Sequence, residues 1–310
     1  MAMSVRVKDA VSPAKIRTSV PRRVFLVCNA TFLILFALVC LVPFINLLAI
    51  SLSSAEAVDA GDVGFFPIDI TGDAYKYLLQ NSDFFRAFGW SVLRVVLGTT
   101  ISLVVITLAA YPLSKSNAQF RGRGFYTVFF TITMFFSGGL IPTYMVITGL
   151  GLYNKIWALV LPTAMNAWNM VLLINFFRQV PPQMEEAAML EGAGNLRILV
   201  SIYLPVSLPA LATVILFTAV QHWNNWFDGA IYMNSAKMPL QSYIYNMINE
   251  INLLTSQGHL SAEDQARLDA LPGKTLRSAQ IFIAMLPIML VYPFAQKFFV
   301  KGLVVGSVKE

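Results

Sequence analysis

Between Val24 and about Ile50 the chain carries no charged residue, and a run that long and apolar restricts the fold more than any other feature. A helix needs about 20 apolar residues to cross a bilayer. Further runs reach that length at roughly Trp90–Leu113, Phe125–Ile147, Ile156–Phe177, Val206–Phe227 and Leu276–Val300. The runs are solid, whereas the strands of an outer-membrane barrel alternate polar and apolar over about 10 residues. Composition agrees: 57% of the residues are hydrophobic and 12% are charged, against about 25% charged in a soluble domain. The sequence predicts an all-α, polytopic membrane protein with six transmembrane helices.

Charge placement predicts the orientation. Residues 1–23 are basic, with Arg6, Lys8, Lys15, Arg17, Arg22 and Arg23 against Asp9 alone. The link carrying Lys115, Arg121 and Arg123 and the tail carrying Lys297, Lys301 and Lys309 are basic too. Residues 51–89 are acidic, through Glu56, Asp59, Asp62, Asp69, Asp73 and Asp83. Under the positive-inside rule both termini and residues 178–205 lie in the cytoplasm, and loops 51–89 and 228–275 lie outside. The net charge of +6 follows from this placement. No clustered, solvated basic face marks a nucleic-acid partner, and none is expected. Ala55-Glu56-Ala57 resembles a signal-peptidase site, but the run before it exceeds the 7–15 residues of a secretory core, so it reads as an uncleaved first span. Cys28 and Cys40 are about three helical turns apart in that span and cannot bridge within it.

Residues 178–205 are too charged to cross. Pro182 suits a first helical position, which needs no backbone N–H, and Glu185 and Glu186 then fall near the positive end of the helix dipole. Ala187 and Ala188 favour helix and add little bulk. Gly192 and Gly194 stop the helix and permit a sharp bend. A second helix is expected from about Leu196, closed by Pro205 and Pro209. A short helix–turn–helix that offers carboxylates beside a small, smooth patch fits a groove on another protein.

The same segment carries a resemblance. Permeases of bacterial ATP-binding-cassette importers share Glu-Ala-Ala, three residues, Gly, nine residues, Ile, one residue and Leu-Pro. This chain has Glu186-Ala187-Ala188, Gly192, Ile202 and Leu204-Pro205 at those spacings. Chance would produce the match in on the order of one chain in a million at ordinary residue frequencies, so the signal is specific. The chain resembles MalG-like subunits of the carbohydrate-uptake type and, within them, an LplC/YtcP-like branch. Gly138-Gly139-Leu140-Ile141-Pro142-Thr143-Tyr144, Trp223-Asn224-Asn225-Trp226-Phe227 and the tail from Tyr292 to Gly302 carry that likeness.

The resemblance implies a type I importer permease fold spanning 24–310 behind the basic stretch 1–23, in a bacterial plasma membrane. It implies a non-catalytic half-pathway for a carbohydrate, of the oligosaccharide class, handed over by an extracytoplasmic solute-binding protein. Its other partners would be a second homologous permease, two ATP-binding subunits and membrane lipid, with ATP and Mg on those subunits and no cofactor on this chain. Coupling to the ATPase would fall to Glu185, Glu186, Ala187, Ala188, Gly192, Ile202, Leu204 and Pro205, with Glu186 the coupling carboxylate and Gly192 the hinge. By family position, residues about 229–250 would meet the binding protein, and 251–272 read as an inserted hairpin or linker.

A substrate path has a weaker signature. Gln221, Asn225 and Asp228 recur at helical spacing near His222 at the outer end of the fifth run, and intramembrane polar groups tend to face a bundle interior or a watery path. Trp223 and Trp226 could stack on sugar rings, although Trp also anchors membrane interfaces and amides also tie helices together. Asn166, Asn169 and Trp168 invite the same reading. Gly273-Lys274-Thr275 echoes a phosphate-binding loop without its leading Gly, position 268 being Leu. His222 and His259 have no metal-binding frame, and His222 reads as a membrane-interface residue. An ion-coupled secondary transporter, the rival reading, would carry intramembrane carboxylates or inverted repeats, whereas every Asp and Glu here falls in a loop or at a span edge. A non-sugar solute remains the alternative within the importer class.

Overall fold

The computed structural model describes residues 19–256 and 273–307, and no strand occurs among them. The helices are α1 (Val20–Ser51), α2 (Ala55–Ala60), α3 (Asp73–Gln80), α4 (Ser82–Ser114), α5 (Arg123–Phe135), α6 (Leu140–Gly149), α7 (Trp157–Val160) and α8 (Ala167–Phe177). They continue as α9 (Pro182–Leu190), α10 (Asn195–Ile198), α11 (Leu204–Val206), α12 (Leu208–Asn224), α13 (Phe227–Tyr232), α14 (Leu240–Ser256) and α15 (Lys274–Ser307). Three are long and apolar enough to cross a bilayer alone: α1, α4 and the Lys274–Pro293 part of α15. Three bent pairs bring the total to six if each pair crosses once.

The third, fourth and fifth apolar runs are therefore not straight spans. α5 and α6 meet at 116°, the α7 and α8 arms at 49°, and the 195–206 segment meets α12 at 85°. The first break falls at Gly138-Gly139, where Gly139 has φ +80°, a conformation costly for residues with a Cβ. Pro205 does not close the second helix of the 178–205 segment. That helix runs through a π turn at 199–203 into α11, and the chain breaks at Ser207, where Pro209 opens α12. The second span also starts earlier than its apolar run, because the Asn81 side chain accepts hydrogen bonds from the N–H groups of Asp83 and Phe84, both 3.0 Å. Such a cap satisfies otherwise orphaned donors and lets α4 begin at Ser82. Residues 251–256, read as part of an inserted hairpin, instead complete α14; the rest of that insertion lies outside the described residues, as does most of the basic stretch 1–23.

α4 is the pillar of the bundle, packed on α8 and α12. Around its C-terminal end, Ile106, Ala110, Leu173, Phe177, Ile198 and Val214 join in one apolar core. Around its N-terminal end, Leu78, Phe84, Trp223, Leu240, Met247 and Ala284 form another. α1 keeps most of its apolar surface exposed.

Two contacts fix α12 against α4. His222 is only 2% exposed, and its ring lies where a Cβ on Gly98 would stand. It is not an interface residue: the absence of a side chain at Gly98 lets α12 approach and seals the imidazole in, with neither ring nitrogen hydrogen-bonded among the described residues. Arg94, fully buried, makes a two-point ion pair with Asp228 and donates to the Asn225 carbonyl at 3.0 Å. Asn225 lies between α12 and α13, so one guanidinium from α4 satisfies a backbone carbonyl freed by the break and neutralises the carboxylate beyond it.

Two stability predictions follow from these contacts. Arg94→Met should destabilise the purified protein by about 3–5 kcal/mol, the usual result of orphaning a buried charge, and Arg94→Met/Asp228→Leu should recover most of that loss. Gly98→Ala should cost about 1–3 kcal/mol through overpacking, with Gly98→Ala/His222→Ala more stable than Gly98→Ala alone. Thermal unfolding midpoints in one detergent check both; single variants that melt like the parent would contradict them.

Candidate functional site

α9 begins with Pro182 at its first position and ends at Gly192, whose φ is +78°. The Gly192 N–H reaches the Met189 carbonyl at 3.0 Å and the Ala193 N–H reaches that of Ala188 at 2.9 Å. This is a helix stop built on a left-handed residue, a position that favours glycine. Glu186 and Ala187 are exposed, and Leu190 at the end of the helix is 91% exposed. Met184 and Met189 are also on the surface. A carboxylate among exposed, flexible apolar side chains on a short helix has the makings of a groove-docking face.

Glu185, next in sequence to Glu186, does something else. It is the one buried residue of α9. Its Oε2 accepts from Lys115 Nζ at 2.7 Å and from the Tyr203 hydroxyl at 2.6 Å. Lys115 Nζ also donates to the Tyr203 oxygen at 2.8 Å. The ammonium lies 4.2 Å from the centre of the Tyr111 ring and 4.1 Å from that of Tyr203, within range for cation–π attraction. Burial pushes the Lys115 pKa down, and the hydrogen bond and charge of Glu185 oppose it. Burial first, then Glu185, push the Tyr203 phenol up, which keeps it a proton donor.

The remaining motif residues sit behind this cluster. Ala188, Ile202 and Leu204 pack on the core around the C-terminal end of α4, while Pro205 is exposed. The structure thus divides the motif into an outward set (Glu186, Ala187, Pro205) and an inward set (Glu185, Ala188, Ile202, Leu204), with Gly192 at the corner.

The polar residues expected along a substrate path part company in the same way. Gln221, Asn225 and Asp228 do not share a face, because α12 ends at Asn224 and the chain turns before α13. Asn225 Nδ2 donates to Asp228 Oδ2 at 3.1 Å, and Arg94 holds the same carboxylate. Asn169 is buried and donates to Thr218 Oγ1 at 3.3 Å. Trp223 is core: its Nε1 donates to the Ala284 carbonyl at 3.0 Å, and its ring meets Phe88 edge-on. Trp226 stacks on Tyr245 with ring centres 3.8 Å apart. Asn166 and Gln221 remain together, with Asn166 Nδ2 3.5 Å from Gln221 Oε1. Asn166 also accepts from the Asn169 N–H at 3.0 Å and so caps α8. Trp168 is well exposed.

Sequence reasoning passed over Arg94, Lys115 and Tyr203. Arg94 had a signal: it is a charge inside the apolar run Trp90–Leu113, and such charges seek partners. Lys115 looked like one of several basic residues in a link, and Tyr203 occupies an unspecified position in the spaced pattern. Neither carried a sequence mark of its pairing. Among the described residues, no group of three or more His, Cys, Asp or Glu could hold a metal ion.

Comparison with known proteins assigns the chain to a family. A sequence profile described as "Binding-protein-dependent transport system inner membrane component" matches residues 109–305. The "Polygalacturonan/rhamnogalacturonan transport system permease protein YtcP" of Bacillus subtilis (strain 168) is 40% identical over 281 residues, covering 90% of this chain and 96% of the relative. "Protein LplC" of the same organism is 38% identical over 288 residues, covering 93% and 95%. A solved bacterial ABC transporter, described as involved in the import of the acidic polysaccharide alginate, includes a chain that superposes with a TM-score of 0.80 at 33% identity, covering 91% of this chain and 99% of that one. The chain belongs to the inner-membrane components of binding-protein-dependent transport systems: it is an ABC-importer permease.

Proposed function

We propose that the chain forms one half of the translocation pathway of an importer for oligosaccharides, and that α9 is the element gripped by an ATP-binding subunit. The observation that carries the reading is the split of the motif on α9. Glu186, Ala187 and Leu190 face outward with no partner face among the described residues, while Ala188 packs on the core. Closure of the ATPase would displace α9, and the spans packed behind it would move to alternate access.

The carbohydrate assignment is supported by similarity to proteins named for polygalacturonan/rhamnogalacturonan and alginate transport. Saccharides derived from those polymers are the first to screen. In this reading a second, homologous permease completes the pathway, two ATP-binding subunits dock beneath, and a solute-binding protein delivers the sugar to loops 51–89 and 228–275. Basic residues at both ends and in the 115–123 link, against the acidic 51–89 segment, support cytoplasmic termini. Asn166 and Gln221 are the residues of this half with the best claim on the sugar, being neighbours across α8 and α12 with polar groups accessible.

Two outcomes test the reading. Glu186→Ala should remove binding-protein-stimulated ATP hydrolysis in membranes that also carry the partner subunits, while membrane insertion survives. Gly192→Leu should do the same, because a branched residue at φ +78° carries a strain of about 1–3 kcal/mol at the corner of the docking element. Normal stimulation in both would contradict the assignment of α9. For the substrate, the binding protein that co-purifies with the complex should show a raised melting temperature with oligogalacturonides or alginate oligosaccharides. Stabilisation only by a non-sugar solute would overturn the carbohydrate reading.

A further inference from the structure

Glu185 poses a question that docking does not answer, since it is turned away from the exposed face of α9. Besides this contact, α9 meets the core around α4 through the half-buried Ala188. A cavity of about 430 Å³ opens between the two helices, bordered by Leu108, Tyr111, Phe120, Met189 and Leu196 as well as by Lys115 and Glu185. No apolar side chain of α9 is buried. The shortest mechanical route from α9 to α4 is therefore the hydrogen-bonded ion pair of Glu185 with Lys115, the residue that caps α4. The Tyr203 hydroxyl, bonded to both, adds the 199–203 turn that leads through α11 into α12.

Three elements with separate covalent routes thus meet at one carboxylate oxygen. The other oxygen, Glu185 Oε1, is buried with no hydrogen-bond partner among the described residues. A buried acceptor without a donor is costly and rare enough to need a reason. An arrangement that leaves one lone-pair site empty beside a cavity has room to re-pair when α9 shifts.

We propose that Lys115, Glu185 and Tyr203 form the joint through which displacement of α9 reaches α4 and α12. Glu185 and Lys115 are then positioning residues for coupling, distinct from the exposed residues that meet the ATPase. This inference rests on the coupling reading of α9, and its test separates the two.

The test uses the complex of this chain with its co-expressed permease and ATPase partners, carrying Cys28→Ser and Cys40→Ser to remove its exposed cysteines. The reporter is Ala167→Cys, at the half-buried start of α8 where that bent pair meets. Its reaction rate with N-ethylmaleimide is measured without nucleotide and after trapping with ATP and vanadate. In the parent the two rates should differ by at least about fivefold, the low end of ordinary coupling between sites. With Lys115→Met or Glu185→Gln the ATPase subunits should stay bound and trap nucleotide, while the difference falls below about twofold, as expected when the coupling energy is lost. Combining the two changes should add no further loss, and Lys115→Arg, which keeps the charge, should retain the response. A full response in either single variant would overturn the joint. So would release of the ATPase subunits, which would make the cluster a scaffold for docking. Glu186→Ala reports on the other reading: it should lose the ATPase subunits, and keeping them with a full response would defeat docking through Glu186 without touching the joint.

Discussion

A backbone inside a bilayer has no water to bond, so every break in a helix must find its own partners. This constraint governs the architecture, because three of the apolar runs are bent. At the bend between α5 and α6, Gly139 N–H reaches Ser137 Oγ at 3.3 Å and Thr143 Oγ1 donates to the Gly139 carbonyl at 2.7 Å. Where α7 and α8 meet, Asn166 caps the second arm and Thr163 donates back to the carbonyls of Leu159 and Val160. Beyond α12, the Asn225 carbonyl takes its donor from Arg94 on α4. The first two repairs are local, made by side chains within a few residues of the break. The last is made across the bundle, and it commits an intramembrane arginine and Asp228 to structure.

The two adjacent carboxylates of α9 show how one helical turn divides two duties. Successive residues on a helix point about 100° apart, so Glu186 can face a partner only if Glu185 faces elsewhere. Here it faces Lys115 and Tyr203. The helix is rigid along its short length, stopped at Gly192 and joined to α4 chiefly through a charge-assisted contact. Hydrogen bonds to ionised groups are short and strong but have few stable geometries, which suits a joint that moves between discrete positions better than a sliding apolar contact.

Much of this was legible in the sequence. The uncharged stretch from Val24 marks α1, and the Glu-Ala-Ala pattern marks α9 and its corner at Gly192. The bends were not legible, because hydropathy reports that a segment is apolar and says nothing of its direction. Gly138-Gly139 was visible as a likeness to relatives and Asn225 as a polar residue, without the turn that each makes. The helical spacing of Gln221, Asn225 and Asp228 misled for the same reason: periodicity assumes an unbroken helix, and α12 stops at Asn224. Pairing over long separations was also hidden. Nothing local joins Arg94 to Asp228 or Lys115 to Glu185, and only the packing of α4 against the later helices brings them together.

The most direct measurement of the central claim is site-specific photo-crosslinking from α9 in native membranes. A photoreactive residue in place of Leu190, the most exposed large apolar residue of α9, would be irradiated and its adducts identified by mass spectrometry. The account predicts an adduct with an ATP-binding subunit, and none with that subunit from a matching probe at Trp168 in α8. Adducts from position 190 with lipid alone, while the ATPase subunits are present in the same membranes, would contradict it.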